Sequence, residues 1–134
     1  MKYLLDTCTC IYYINGKKPQ VRVNLHKRTA DDIRVSSVTK CEMFAGSGVS
    51  KTPQVSRQKQ ERFLIRFESL PFDDDAANQY GNIHSFLRAR GKLINVPDMQ
   101  IAAIALAHNL IVVTSDTDDF GRIPDLKIED WTLV

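Results

Sequence analysis

The stretch Met1-Lys2-Tyr3-Leu4-Leu5-Asp6-Thr7 opens the chain with a short apolar run that a carboxylate and a hydroxyl group close. Such a run, followed at once by helix-capping side chains, is typical of a buried parallel strand that leads directly into a helix. This stretch therefore predicts a strand over residues 2–5 and a helix over 9–15, which ends at Asn15-Gly16.

The same alternation of strand and helix continues through the chain. Strands are predicted at 33–35, 110–114 and 126–128, with a short extended piece at 69–72, and helices at about 19–30, 38–46, 54–67, 74–90 and 97–108. Strands that alternate with helices imply a parallel sheet covered on both faces. The predicted fold class is α/β, with a central, mostly parallel sheet flanked by helices in three layers. The length of 134 residues fits a single domain over 1–134.

The composition excludes several classes of protein. Asp6 interrupts the first apolar run, and His108 and Asn109 interrupt the run from 101 to 113, so neither a signal peptide nor a membrane span is predicted. The three cysteines lack paired spacing and indicate neither a disulfide framework nor a zinc site. These features predict a cytoplasmic protein with no membrane partner.

Four acidic residues stand out because they follow predicted strands or share a helix face with apolar residues. They are Asp6, Glu42, Asp98 and Asp116. Asp6 and Asp116 follow strands, and the ligand crevice of a parallel sheet lies beyond the carboxyl ends of its strands. Asp98 lies on the inward stripe of its helix. We therefore expect the four carboxylates to converge.

Of the four acids, Glu42 gives the strongest indication of a functional role. It shares one helix face with Val38, Cys41 and Ala45, so a charge is predicted on the apolar side. Burying an ionised carboxylate costs several kcal/mol unless a cation or hydrogen-bond donors compensate it. Each of the other acids has an ordinary structural alternative. Asp6 and Asp116 can cap helices, and Asp98 can interact with the helix dipole.

Converging carboxylates suit a hard divalent cation. Mg²⁺ and Mn²⁺ prefer oxygen ligands, and such a cation can neutralise the charge that builds on phosphoryl oxygens during hydrolysis. Basic residues are spread over the helical segments, which favours a polyanionic substrate. The pattern predicts a metal-dependent phosphodiesterase, with Asp118 and Asp119 competing with Asp116 for its role.

Four motifs carry a resemblance to a known family. They are Met1 to Thr7, Ser36 to Gly46, Pro97 to Ala103, and Val113 to Phe120. In this order they resemble the successive acidic motifs of PIN-domain ribonucleases. The segments Leu87-Arg88-Ala89-Arg90-Gly91-Lys92 and Glu129-Asp130-Trp131 are similar to those of VapC toxins from bacterial toxin–antitoxin pairs. The resemblance spans essentially the whole chain.

The resemblance implies a PIN-like fold and an acidic pocket of Asp6, Glu42, Asp98 and Asp116, with Asp6, Asp98 and Asp116 as Mg²⁺ or Mn²⁺ ligands. It further implies endonucleolytic cleavage of RNA, with transfer RNA as the expected substrate, and 5′-phosphate and 3′-hydroxyl ends. A homodimer and inhibition by a VapB-like antitoxin are implied as partners. The chain carries Cys8 where many relatives have asparagine, and many relatives have asparagine at the position of Asp116.

Two alternatives remain open from the sequence alone. A phosphatase could use Asp6 as a nucleophile, although the haloacid-dehalogenase pattern wants a second aspartate where this chain has Cys8. A catalytically silent RNA-binding or protein-interaction module could also retain the fold. Glu42 argues against the silent module, because an inward carboxylate is costly to keep without a cation.

Overall fold

A computed structural model describes residues 1–134. The strands are β1 (Tyr3–Leu5), β2 (Ile33–Ser36), β3 (Glu68–Leu70), β4 (Ile111–Val113) and β5 (Ile128–Glu129). The helices are α1 (Thr7–Asn15), α2 (Pro19–His26), α3 (Ser37–Gly48), α4 (Pro53–Leu64), α5 (Asp74–Ala89), α6 (Val96–His108) and α7 (Thr117–Gly121). All five strands pair in parallel, in the order β3-β2-β1-β4-β5.

The sheet separates two apolar cores, because successive side chains of a strand point to opposite faces. Leu4 packs with α5 and α6 on one face, whereas Leu5 packs with α1, α2 and α4 on the other. Val112 and Val113 of β4 divide in the same way. The chain therefore folds as helices on both faces of a parallel sheet, which confirms the predicted α/β three-layer class.

Helix caps cluster at the carboxyl edge of the sheet. The Asp6 carboxylate accepts a hydrogen bond from the Thr9 backbone N–H and begins α1, and the Ser36 hydroxyl accepts one from the Thr39 N–H and begins α3. Asp116 begins α7 in the same way. Helices α1 and α3 therefore start at the ends of their strands and α7 starts after a three-residue loop, which brings three helix N-termini to one edge.

Element boundaries differ from the predictions in a few places. The second helix ends at His26 instead of residue 30, because a separate 3₁₀ turn covers Ala30–Asp32 before β2. The last strand is Ile128–Glu129, slightly later than predicted, and the sheet is wholly parallel. No helix is both long and apolar enough to cross a lipid bilayer.

Candidate active site

The acidic edge of the sheet is built around the ends of β1 and β4. The Asp6 backbone N–H donates to the Val113 carbonyl over 3.0 Å, and the Thr9 hydroxyl donates to the same carbonyl over 3.1 Å. These bonds fix the start of α1 against the end of β4. Asp6 and the loop from Thr114 to Asp116 therefore stand next to each other at the predicted crevice.

Asp6 is the most deeply buried of the predicted acids, with 3% of its surface exposed. Burial raises the pKa of its carboxyl group, and the negative charge of Asp116 raises it further. Hydrogen bonds from Thr114 and Thr9 oppose that rise by stabilising the charged form. Its role as helix cap and its place at the strand end coexist, as both predictions required.

Three carboxylates approach one another beside Asp6. Ligand oxygens of Asp98, Asp116 and Asp119 all lie within 4.8 Å of one another. Partial burial raises the pKa of Asp98 to about 6, and the charges of Asp6, Glu42 and Asp116 add to that rise. The pKa of Asp116 is also raised, by partial desolvation and then by the neighbouring charges of Asp119 and Asp118. Carboxylates held in this way repel one another unless a cation joins them.

Asp98 is held in place by its own helix start. The Asn95 side chain accepts a hydrogen bond from the Asp98 backbone N–H over 3.0 Å and donates one to Asp98 Oδ2 over 2.9 Å. The second bond lowers the pKa of Asp98 and so partly offsets the effect of burial. The carboxylate is therefore oriented towards the acidic edge before any ligand arrives.

Asp119 and its neighbour Arg122 complete the cluster. The sequence left Asp116, Asp118 and Asp119 as alternatives, and the structure brings both Asp116 and Asp119 to Asp98. Arg122, one turn later, forms an ion pair with Asp119 through its guanidinium group. Asp116 is exposed and has no such cation, so it is the freer ligand of the two.

The prediction that Glu42 lies on a buried helix face is wrong. Cys41, Glu42 and Ala45 are all exposed. The buried stripe of α3 is Thr39, Met43 and Ser47, spaced four residues apart, with Val38 beside it. The apolar side chains of Cys41 and Ala45 are small and are tolerated at the surface, which made the wrong face look apolar.

Glu42 nevertheless faces the acidic edge. The Thr7 hydroxyl donates a hydrogen bond to Glu42 Oε1 over 2.6 Å and lies 3.1 Å from the Thr39 hydroxyl. The Glu42 charge also contributes to raising the pKa values of Asp98 and of the Cys8 thiol, which desolvation raises first. All four predicted acids therefore share one electrostatic environment, although only Asp98 and Asp116 belong to the tight cluster.

The donor set fits a hard divalent cation. The cluster offers only carboxylate oxygens, without a histidine, and Mg²⁺ or Mn²⁺ is usually bound through one or two carboxylates together with waters. The nearby thiol of Cys8 has a raised pKa and so stays protonated, which makes it a poor ligand. The residues therefore suit the predicted kind of metal and do not suit a zinc site.

Comparison with known proteins places the chain in a family. The family model described as PIN domain matches residues 3–126. The chain belongs to the PIN-domain family. Over 131 residues it is 35% identical to the tRNA(fMet)-specific endonuclease VapC of Salmonella typhimurium, with 98% of each chain covered. It is 33% identical to ribonuclease VapC2 of Rickettsia felis over 132 residues, again with 98% of each covered.

Solved structures agree with this membership. The chain superposes with a TM-score of 0.89 on a chain of VapBC2 from Rickettsia felis bound to a promoter DNA fragment, at 33% identity, covering 98% of this chain and 99% of that one. A chain of DNA-bound VapBC from Salmonella typhimurium gives a TM-score of 0.91 at 35% identity, with 98% of each covered. The predicted VapC-type PIN toxin and endoribonuclease class are thereby confirmed.

Three residues beside the acids of this PIN domain have no site role in the sequence-based prediction. The sequence predicts a capping role for Thr7 and no role for Asn95 or Arg122. The signal for Asn95 was its position three residues before Asp98, where a side chain can cap the helix that carries that acid. Arg122 follows Asp119 by three residues, the spacing at which side chains meet on a helix.

Proposed function

We propose that RNA cleavage by this VapC-type PIN toxin depends on Mg²⁺ or Mn²⁺. The observation that carries the proposal is the group of Asp98, Asp116 and Asp119 beside the buried Asp6, on a VapC fold. Such a group of carboxylates with raised pKa values is a candidate site for charge-dependent chemistry.

Asp98 and Asp116 would hold the cation directly, because Asp98 is oriented by Asn95 and Asp116 is exposed and forms no ion pair. Asp6, buried beside this cluster, adds a further negative charge and is the third ligand that we propose. Arg122 keeps part of the Asp119 charge neutral when no cation is bound. When bound, the cation neutralises charge on the phosphoryl oxygens and lowers the pKa of the attacking water.

The placement of the histidines supports hydrolysis by water over attack by the RNA's own 2′-hydroxyl. The His26 ring hydrogen bonds to Tyr13, His84 stacks on Tyr80, and His108 lies at the exposed end of α6. None of them joins the acids, so no histidine is placed to activate a 2′-hydroxyl at the acidic edge. We therefore propose that the products carry 5′-phosphate and 3′-hydroxyl ends.

The relatives indicate the substrate and partner to test. The Salmonella relative is named as a tRNA(fMet)-specific endonuclease, and transfer RNA is accordingly the substrate that we propose. The similar structures from Rickettsia felis and Salmonella typhimurium are of VapBC complexes. We propose a VapB-like antitoxin as the inhibitor of this protein and a homodimer as its assembly.

End-group analysis tests the proposed chemistry. Purified protein is incubated with transfer RNA and Mg²⁺, and product ends are identified by their response to ligase and phosphatase. We expect 5′-phosphate and 3′-hydroxyl ends, and continued cleavage when the nucleotide at the cut carries a 2′-O-methyl group. Cyclic phosphate ends together with complete resistance of the modified RNA would contradict the proposal. Asp98→Asn protein, prepared identically, controls for contaminating ribonuclease.

A further inference from the structure

A basic pocket lies on the α1, α2 and α4 side of the sheet, away from the acidic cluster. It has a volume of about 410 Å³. Its walls include four cationic side chains and two aromatic rings: Arg22, Lys59, Arg62, Arg66, Tyr13 and Phe63. No acidic side chain lines it. This shallow pocket therefore gathers four positive charges at one place on the surface, which attracts anions.

None of the four cations is neutralised within the chain. The ion pairs of the structure use other arginines, namely Arg28, Arg34, Arg57 and Arg122. Lys59 and Arg62 are exposed on α4 and form no side-chain hydrogen bond outside that helix. Four unpaired charges of one sign in one pocket repel one another, so the pocket is predisposed to bind an anion.

Contacts around Tyr13 hold two of the cationic side chains, Arg22 and Arg66, in place. The guanidinium groups of Arg22 and Arg66 lie 5.3 and 5.6 Å from the centre of its ring. Arg22 also donates to the carbonyls of Tyr13 and Ile14 at the end of α1, over 2.8 and 3.2 Å. The Tyr13 hydroxyl lies 2.8 Å from His26 Nε2 and accepts from Arg66 over 3.3 Å. Two of the four cations are thereby ordered in advance, which lowers the entropy cost of binding.

We propose that this pocket binds a backbone phosphate of the RNA substrate and so anchors the strand at a distance from the cut. The proposal rests on the proposed ribonuclease function and extends it to a substrate-binding subsite. Guanidinium groups pair bidentately with phosphate, and cationic grooves combined with aromatic rings are how single-stranded nucleic acids are held without sequence preference.

The position of the pocket suits this task. Asp6 caps the start of α1, and Tyr13 lies seven residues further along the same helix. At about 1.5 Å per residue, this places the pocket roughly 10 Å from the acidic edge along the helix axis. One rigid helix therefore sets the spacing between the acidic site and the basic pocket. A phosphate held there fixes the register of the strand over the acids.

The test removes two positive charges from the pocket and leaves Tyr13, Arg22 and Arg66 unchanged. The pocket variant is Lys59→Gln/Arg62→Gln. The matched control is Arg88→Gln/Lys127→Gln, which removes two exposed charges, one on α5 and one just before β5. The probe is a labelled single-stranded RNA of about 20 nucleotides, a length that exceeds the site size of typical binding folds. Its Kd is measured in EDTA over a range of salt concentrations. Values of kcat and KM are measured with Mg²⁺.

We expect the pocket variant to raise both Kd and KM about tenfold, equivalent to about 1.4 kcal/mol, while kcat stays within about twofold. The plot of log affinity against log salt concentration should become shallower by up to about 0.7, the contribution of one phosphate contact to a single strand. The control variant should change both quantities much less.

Equal weakening by the two variants would overturn the proposal, because only net charge would then matter. Unchanged RNA affinity with weaker binding of the antitoxin would also overturn it, and would assign the pocket to an acidic protein segment. If wild-type protein cleaves no RNA, the proposed function fails, whereas the binding measurements still decide the role of the pocket.

Discussion

Replacing Asp98 by asparagine should stabilise the metal-free protein while removing its activity. The asparagine keeps the size of the side chain and can still accept the hydrogen bond from Asn95. It removes one negative charge from a group that also contains Asp6, Asp116 and Glu42. Higher stability together with lost activity would show that the Asp98 charge serves function and does not stabilise the fold.

The magnitude follows from the pKa of Asp98. A rise from 3.8 to about 6 corresponds to about 3 kcal/mol, at about 1.36 kcal/mol per pKa unit. Because the carboxylate is only half-buried, solvent screening reduces this to roughly 1–1.5 kcal/mol. For a domain of this size, that is a rise in Tm of roughly 3–7 °C.

The sign of the pH dependence follows from the same pKa. Between about pH 4 and 6 the folded protein still holds the proton on Asp98, whereas the unfolded chain has released it. The stability of the wild type therefore falls as pH rises through this window, and the advantage of the variant grows and then levels off above it. Thermal unfolding of both proteins in EDTA, from pH 4.5 to 8, measures this difference.

Added Mg²⁺ or Mn²⁺ provides the second half of the assay. A cation that binds only the folded wild type should raise its Tm at pH 7.5 and leave the variant nearly unchanged. Equal stability of the two proteins at every pH, or the same response of both to the cation, would refute the reasoning that Asp98 is a strained metal ligand.

Three further substitutions probe the acidic edge. Asp6→Asn should reduce the rate of RNA cleavage by at least about a hundredfold. Circular dichroism should show an unchanged fold, because asparagine also caps helices. An unchanged cleavage rate would show that Asp6 is not part of the active site. Thr7→Val removes the hydrogen-bond donor to Glu42 and should lower kcat about tenfold, whereas Thr7→Ser should keep the wild-type kcat. Equal kcat values for the valine and serine variants would show that the hydroxyl group does not position Glu42. Arg122→Gln releases Asp119 and should tighten Mn²⁺ binding a few-fold in calorimetry; weaker binding would instead assign Arg122 a supporting role.

Much of the fold could be predicted because the strands are short, apolar and closed by capping residues. The run from Tyr3 to Leu5 became β1, and the run around Val112 became β4, its neighbour in the sheet. Parallel strands joined by helices leave few alternative topologies. The end of α2 at His26 is not predictable from the sequence, because the residues after it carry no strong helix-stopping signal.

The site was less accessible to sequence reasoning, for reasons that differ between residues. Helical spacing predicts the wrong buried face for Glu42, because spacing alone cannot say which face is buried when Thr39 and Ser47 form the inward stripe. Its role in the site stays a prediction. Asp116 and Asp119 could not be separated because one turn of α7 presents both to Asp98. The basic pocket needs tertiary structure, because Arg22 and Arg66 meet only across Tyr13.

The dependence of RNA cleavage on a divalent cation tests the central claim most directly. Protein stripped of metal is incubated with transfer RNA in excess EDTA, and Mg²⁺ or Mn²⁺ is then titrated back, with Asp98→Asn protein as the parallel control. The acidic edge predicts no cleavage in EDTA, recovery of cleavage by either cation in the wild type, and no recovery in the variant. Undiminished cleavage by the wild type in excess EDTA would contradict a metal-dependent role for these carboxylates.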